Sequence, residues 1–210
     1  MLKKYDLLIL DYGGVYSFDY DPASSNQIML NVFGREPNAQ EKERIMEVAT
    51  LLGTNKITTE DYVSRVAQIM QSPTPNTQTF EEAVVSHGFP PSPVMVELVK
   101  EIRKNGLKVS LLSDMYLFEL EKTRPTGRYE GFDHTSFSSE IGYIKSNPEA
   151  FRATLNHFGV EPQRALFVDD IPLFVENAKA LELDILWANK AEFKTADHLA
   201  DAIYKRISIS

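Results

Sequence analysis

The sequence has no cysteine and no long apolar run, and each absence excludes a class of protein. Without cysteine, its 210 residues can form no disulfide framework, thiolate nucleophile or cysteine-ligated zinc site. No segment approaches the roughly 20 consecutive apolar residues that a membrane-spanning helix needs. The apolar stretch near the N-terminus is interrupted by Asp6 and Asp11, which makes it too short for the core of a signal peptide. We therefore expect a cytoplasmic protein without a membrane partner.

The chain also lacks an excess of positive charge. Its 22 lysine and arginine residues face 30 aspartate and glutamate residues, which gives a formal net charge of −8 at pH 7. Nucleic acids bind basic surfaces, so no nucleic-acid partner is expected. A hydrophobic fraction of 43% and a charged fraction of 25% are typical of a globular protein. The length allows one full core and a small second domain.

Short apolar runs alternate with stretches of helical period over much of the chain. The runs are typical of strands that are buried on both faces of a parallel sheet. They lie at 7–10, 109–112, 165–168 and 184–187. The helical stretches lie at 93–104 and 147–159, directly after Asp170, and at 191–207. This alternation predicts the α/β class, with a Rossmann-like parallel sheet flanked by helices.

Between about residue 20 and residue 90 the strand pattern disappears. Four helix-like segments follow one another there, at about 23–33, 39–52, 59–70 and 79–87. Proline-containing segments, Asp21-Pro22 and Phe89-Pro-Pro-Ser-Pro93, mark the two ends of this region. We therefore predict a small helical module at 19–91, inserted after the first strand into a core formed by 1–18 and 92–210.

Polar residues, and two glycines beside the first of them, lie where the predicted strands end. Ligands of open parallel sheets bind beyond the carboxyl ends of the strands, so these side chains should converge on one crevice. The residues are Asp11, Gly13 and Gly14 after the first strand, Ser113 and Asp114 after the second, Asp169 and Asp170 after a later strand, and Lys145 before a helix. Taken alone, each has a structural alternative, such as a turn cap for Asp11 or a solvated surface position for Lys145.

This ordered set resembles the four-motif signature of the haloacid dehalogenase-like (HAD) superfamily, and the helical module resembles that family's cap. The resemblance implies that Asp11 attacks a phosphoryl group and forms an aspartyl-phosphate, which water then cleaves. Ser113 would donate a hydrogen bond to a phosphate oxygen, and Lys145, the second catalytic residue, would balance the charge of Asp11 and of the phosphoryl oxygens. Asp114, where the family often has asparagine, would complete the substrate-binding residues. Mg²⁺ would bind Asp11, the backbone carbonyl of Gly13, and the acidic pair Asp169 and Asp170.

Gly13 departs from the pattern of many phosphatases of this family, which carry a second aspartate there that protonates the leaving group. General acid–base help is typically worth about 10²–10⁴-fold, so good leaving groups should suffer least from its absence. We therefore expect a small phosphorylated metabolite as substrate, for example a sugar phosphate, and a monomeric or homodimeric enzyme. Four residues of the first linker would either line the pocket or pack between the domains. They are Tyr16, Phe18, Asp19 and Tyr20.

Two other functions stay open at this point. Gly13 and Asp114 motivate a catalytically weak or inactive HAD-like protein that binds a ligand or a partner protein. A 2-haloacid dehalogenase would also use the Asp11 nucleophile. The pair Asp169 and Asp170 argues against the second alternative, because such enzymes lack the paired metal-binding acids.

Overall fold

The computed structural model describes residues 4–20 and 24–208, and its centre is a five-stranded parallel sheet. The strand order is β3-β2-β1-β4-β5. The strands are β1 (Leu7–Leu10), β2 (Lys108–Ser113), β3 (His134–Phe137), β4 (Ala165–Asp169) and β5 (Asp184–Trp187). The predicted α/β class with a parallel sheet is therefore confirmed.

Strand β1 lies in the middle of the sheet and all four of its residues are buried. Leu10 is in register with Leu111 of β2 and with Val168 of β4. Successive side chains of a strand point to opposite faces, so Leu8 and Leu10 contribute to a different core cluster from Leu7. This alternation explains why an uninterrupted apolar run is needed here.

Six helices within the described residues flank the sheet. They are α5 (Pro93–Lys104), α6 (Leu117–Thr123), α7 (Ser138–Ile141), α8 (Pro148–Phe158), α9 (Pro172–Ala180) and α10 (Ala196–Ser208). Side chains of α5 and α10 pack in the cluster on one face, and side chains of α8 and α9 pack in the cluster on the other. Both faces are thus covered by apolar helix surfaces, as a parallel sheet requires.

The segment between β1 and α5 forms the predicted helical insertion. Its helices are α1 (Ser24–Phe33), α2 (Ala39–Gly53), α3 (Thr59–Met70) and α4 (Thr77–Ser86), which surround a hydrophobic cluster of their own. Asn38 and Thr58 begin α2 and α3 with capping boxes. The predicted boundary at Asp21-Pro22 lies outside the described residues, and the division at 18/19 and 91/92 stays a prediction.

Several details of the sheet region differ from the sequence-based prediction, in which the short helices α6 and α7 are absent. Strand β3 was not predicted, because it lies at the sheet edge, where His134 and Thr135 are only half-buried and no apolar run is needed. The last helix begins at Ala196 and not at residue 191. A turn precedes the helix instead, and the side chain of Asn189 stabilises it by accepting a hydrogen bond from the N–H of Ala191. Across 4–20 and 24–208, none of the helices has the length and apolarity to cross a membrane.

Candidate active site

The loop after β1 places Asp11 at the carboxyl edge of the sheet. Its backbone N–H donates to the carbonyl of Val168 at 3.0 Å, so the strand alignment with β4 continues to this residue. Gly14 follows with a φ of +76°, a conformation that favours glycine. A Cβ atom at residue 14 would lie 2.3 Å from Oδ2 of Asp170. Gly14 thus lets the β1 loop approach the acidic pair after β4.

Lys145 forms the centre of a buried ionic cluster. Its Nζ lies 2.6 Å from Oδ1 of Asp11 and 2.6 Å from Oδ2 of Asp169. The lysine side chain is 2% exposed and that of Asp169 is 0% exposed. A solvated surface position for Lys145 is therefore wrong.

Neighbouring residues hold Lys145 in this position. Oδ1 of Asp114 accepts a hydrogen bond from the backbone N–H of Lys145 at 2.9 Å. The ring of Phe174 in α9 lies 4.6 Å from the ammonium nitrogen, within cation–π distance. The extra acid at residue 114 therefore anchors the lysine loop, and direct substrate contact by Asp114 stays a prediction.

Three carboxylates share this part of the sheet edge. Oxygen atoms of Asp11, Asp169 and Asp170 all lie within 4.8 Å of one another, and Asp169 and Asp170 end β4 and begin the turn into α9. Oδ1 of Asp169 accepts from the N–H of Ile171 at 2.8 Å, which leaves Oδ2 for Lys145. Asp170 is half-buried and closes the cluster on the solvent side.

The electrostatics of the cluster favour an additional cation. Burial raises the pKa of Asp11 well above its usual value, and the charges of Asp169 and Asp170 add to this while Lys145 opposes it. Burial followed by repulsion from Asp169 raises the pKa of Asp170 to about 6. Burial disfavours the Lys145 ammonium, but the surrounding carboxylates outweigh this and raise its pKa. Asp114 adds its negative charge near Lys145, so the carboxylates around this ammonium outnumber it, and the oxygen-rich donor set of Asp11, Asp169 and Asp170 fits a hard divalent cation.

Ser113 is the last residue of β2, the strand that pairs with β1. It is buried, and it pairs with Phe137 of β3. Gly13 lies in the β1 loop and forms an isolated bridge with Ser17. The predicted site residues are therefore all located at one edge of the sheet, while their individual roles stay predictions.

The first linker mainly packs in the core of the sheet domain. Tyr16 and Phe18 are buried in the core cluster, and Asp19 is exposed. The backbone N–H of Phe18 donates to Oγ of Ser92 at 2.9 Å, which ties the first linker to the second. Of the four linker residues, Tyr20 has its ring beside Gly13 of the β1 loop.

Two residues near the site were not found from the sequence. The indole N–H of Trp187 donates to the backbone carbonyl of Asp170 at 3.0 Å. Lys190 donates to the carbonyl of Phe18 and lies over its ring. Trp187 ends β5 and Lys190 follows it, and the carboxyl end of this strand shares the edge of the site. That topological position is the available signal, because neither residue belongs to a recognisable motif.

Comparison with known proteins agrees with this arrangement. Residues 25–179 match the family model of the haloacid dehalogenase-like hydrolases. The chain is 29% identical over 106 residues to glyceraldehyde 3-phosphate phosphatase of Methanopyrus kandleri. It is 30% identical over 104 residues to phosphoserine phosphatase of Thermus thermophilus. These matches cover 50% and 49% of this chain and 42% of each relative, so they span less than half of the relatives' length.

Solved structures share the fold over nearly the whole chain. A predicted HAD-like family hydrolase from Porphyromonas gingivalis superposes with a TM-score of 0.77 at 17% identity, covering 99% of this chain and 100% of the other. A HAD family enzyme from Bacteroides thetaiotaomicron, solved with magnesium and inorganic phosphate, gives 0.67 at 20% identity, covering 87% and 93%. Such identities indicate a common fold. With the family match over residues 25–179, they show that this chain belongs to the haloacid dehalogenase-like hydrolases.

Proposed function

We propose that this hydrolase is a Mg²⁺-dependent phosphatase of a small phosphorylated metabolite and that Asp11 is its nucleophile. The observation that carries the proposal is the buried cluster in which Lys145 bridges Asp11 and Asp169 at 2.6 Å each. Burying Asp11 and Asp169 around one lysine, with Asp170 beside them, is costly for stability, so a chemical role is the simplest reason to keep them. The named phosphatase relatives support the same substrate class.

Phosphoryl transfer would proceed in two displacements at phosphorus. In the first, a carboxylate oxygen of Asp11 forms a bond to phosphorus and the bond to the leaving-group oxygen breaks with its electron pair. In the second, water attacks phosphorus and the bond to Asp11 breaks, which releases inorganic phosphate and restores the carboxylate. Lys145 would favour the ionised form of Asp11, against the effect of burial on its pKa, and would hold the carboxylate in place for the first step.

Mg²⁺ would be held by Asp11, Asp169, Asp170 and the carbonyl of Gly13. When bound, the ion would supply positive charge against the phosphoryl oxygens. Ser113, at the end of β2, would donate a hydrogen bond to one of those oxygens, and Lys145 would neutralise part of their charge. Asp114 would act through Lys145, whose backbone it anchors.

Gly13 indicates which kind of leaving group the substrate carries. Without an acidic side chain there, the leaving group departs without a proton from residue 13, which favours weakly basic leaving groups. Acyl phosphates, phosphoanhydrides and sugar-1-phosphates fit this requirement. Poor alkyl leaving groups should react slowest.

A binding-only role is the second candidate, and Gly13 motivates it. The intact geometry around Lys145 favours catalysis over this role. A dehalogenase is disfavoured because Asp170 crowds Asp11 and Asp169, an arrangement suited to a metal ion and unnecessary for attack on carbon.

The proposal is tested by phosphate release from sugar phosphates, acyl phosphates and p-nitrophenyl phosphate, with and without Mg²⁺. We expect Mg²⁺-dependent turnover by the wild type and loss of turnover in Asp11→Asn. Asp197→Asn, a matched change at an exposed position in α10, should retain it. Absence of turnover by a folded wild-type protein across the panel would favour the binding-only role.

A further inference from the structure

The catalytic loop has glycine at residues 13 and 14, and the structural reason differs between the two positions. Gly14 has a positive φ and touches the carboxylate of Asp170. Gly13 is not among the residues with a positive φ, so its backbone conformation is open to any side chain. A Cβ atom at residue 13 would lie 3.1 Å from Cδ1 and 3.3 Å from Cγ of Tyr20. A side chain at residue 13 would therefore press on the ring of Tyr20, which would have to move by a few tenths of an ångström.

Tyr20 is held in this place by contacts with three segments. Its ring meets that of Phe89, in the second linker, edge to face at a centroid distance of 5.8 Å and an angle of 86°. Its hydroxyl is hydrogen-bonded to the side chains of Ser24 and Ser25 at the start of α1. Its backbone N–H donates to the carbonyl of Ser17 at 3.2 Å. The ring is thus fixed between the catalytic loop, the linker and the insertion.

The ring lies beside Gly13, which stands two residues after the proposed nucleophile. The negative charge of Asp11 is one of the influences that raise the pKa of Tyr20, after burial, the two serine hydrogen bonds that oppose it, and Glu119. The side chain of Tyr12, between Asp11 and Gly13, is instead buried in the core cluster and bonds to the carbonyl of Phe89. The ring of Tyr20 therefore packs against the loop that carries the proposed nucleophile.

We infer that Tyr20 is a specificity-determining residue that fills the place of a side chain at residue 13 and forms the wall against which the leaving group rests. This inference rests on the proposed phosphatase function and deepens it. The face of the ring offers the leaving group an apolar surface, and the hydroxyl is engaged by Ser24 and Ser25. The preferred substrates are then phosphates with weakly basic leaving groups, such as acyl phosphates and phosphoanhydrides, and restoring an acid at residue 13 requires removal of the ring.

The first test measures kcat/KM for a series of aryl phosphates whose phenols differ in acidity. We expect a steep decrease in the wild type as the phenol becomes less acidic, and no gain in Gly13→Asp alone. Gly13→Asp/Tyr20→Ala should exceed Tyr20→Ala by about tenfold or more for the least acidic phenols. The control Gly13→Asp/Tyr20→Phe keeps the ring and should behave like Gly13→Asp. An equal gain in Gly13→Asp alone would overturn the inference.

A second test does not depend on activity. Gly13→Ala is introduced into the wild type and into Tyr20→Ala, and the melting temperature of each protein is measured. The alanine should lower the melting temperature only where the ring is present, because without it the backbone accepts a side chain freely. Equal shifts in both backgrounds would overturn the placement of Tyr20. A wild type that hydrolyses none of the esters, with unequal shifts, would instead reject the phosphatase function and the leaving-group role while supporting the steric one.

Discussion

At the carboxyl edge of the sheet, charges are buried and their partners come from distant segments. In the helical insertion, the ion pair of Arg35 with Glu41 leaves the arginine side chain 43% exposed, against 2% for Lys145. The insertion has an apolar and aromatic cluster as its interior, in which Tyr62 and Phe80 pack at a centroid distance of 5.0 Å. Burial therefore has opposite effects in the two regions. Buried apolar side chains stabilise the insertion, whereas the buried charges at the sheet edge reduce stability.

The two regions meet at α6. Tyr116 and Phe118, which belong to the sheet domain, pack against the hydrophobic cluster of the insertion. Lys122 of α6 also donates to Glu81 of α4 at 2.9 Å. The contrast between the regions can be tested by substitutions on each side and at this contact.

The largest effect is expected from Lys145→Met, which removes the ammonium and leaves Asp11 and Asp169 buried without their partner. We expect kcat/KM to fall by about 10³-fold or more. The free energy of unfolding without divalent cation should fall by about 3–5 kcal/mol. Denaturant unfolding and phosphate release check both. The control Lys100→Met breaks an exposed pair with Glu97 and should cost less than about 1 kcal/mol. Equal losses of unfolding free energy in the two variants would contradict the distinction between the buried and the exposed ion pairs.

A comparison of Gly14→Ala with Gly34→Ala tests the metal site. Both glycines have a positive φ, +76° and +82°, so each alanine should cost about 1–2 kcal/mol of stability. At Gly14 the new Cβ would also displace Asp170, whereas nothing lies within 4 Å at Gly34. The apparent affinity for Mg²⁺ should therefore fall about tenfold or more only in Gly14→Ala. Trp187, the single tryptophan, bonds to Asp170 and provides a fluorescence readout. Unchanged Mg²⁺ titrations in Gly14→Ala would contradict the proposed ligand set.

Stability should depend on pH through Glu119 at the start of α6. Burial raises the pKa of this carboxyl to about 7, against the opposing effects of Arg128 and of the hydrogen bond from the N–H of Tyr116. The tyrosines that are influenced by its charge are Tyr12, Tyr20, Tyr116 and Tyr129. Between the usual pKa of glutamate and about 7, the folded state retains a proton that the unfolded state loses, so stability falls as the pH rises.

The experiment compares Glu119→Gln with the wild type by denaturant unfolding across that pH range. The wild type should lose about 2 kcal/mol relative to the variant as the pH rises. The glutamine keeps an acceptor for the Tyr116 N–H and removes the titration. Parallel pH curves for the two proteins would show that Glu119 titrates normally.

The smallest effect is expected at the contact between Lys122 and Glu81. The two side chains are 40% and 23% exposed, so their interaction is screened by solvent. A double-mutant cycle with Lys122→Met and Glu81→Gln should give a coupling free energy of about 0.2–1 kcal/mol that decreases with added salt. A larger, salt-independent coupling would mean that this contact resembles the sheet edge.

Much of the fold could be predicted because local sequence patterns determine the positions of most strands and helices. The apolar run at 7–10 coincides with β1, and the helical stretch at 93–104 coincides with α5. The insertion helices follow their capping residues, such as Asn38 and Thr58. Edge strand β3 was not predicted, because its sequence, His-Thr-Ser-Phe, is not a continuous apolar run and only its last two residues are buried. The start of α10 was misplaced because the turn at Asn189 depends on a side-chain hydrogen bond.

By itself, the sequence determined the fold class and the order of the polar residues along the strand ends. It also located Lys145 and the acids at one edge, since parallel strands end together. Only the tertiary structure decided how these side chains are paired. The bond of Lys145 to Asp169 spans 24 residues of chain, and its bond to Asp114 spans 31. The ring of Tyr20 beside Gly13 likewise results from packing against Phe89 and α1. Local patterns carry no distances between segments, and such distances follow from how the helices and the insertion pack on the sheet.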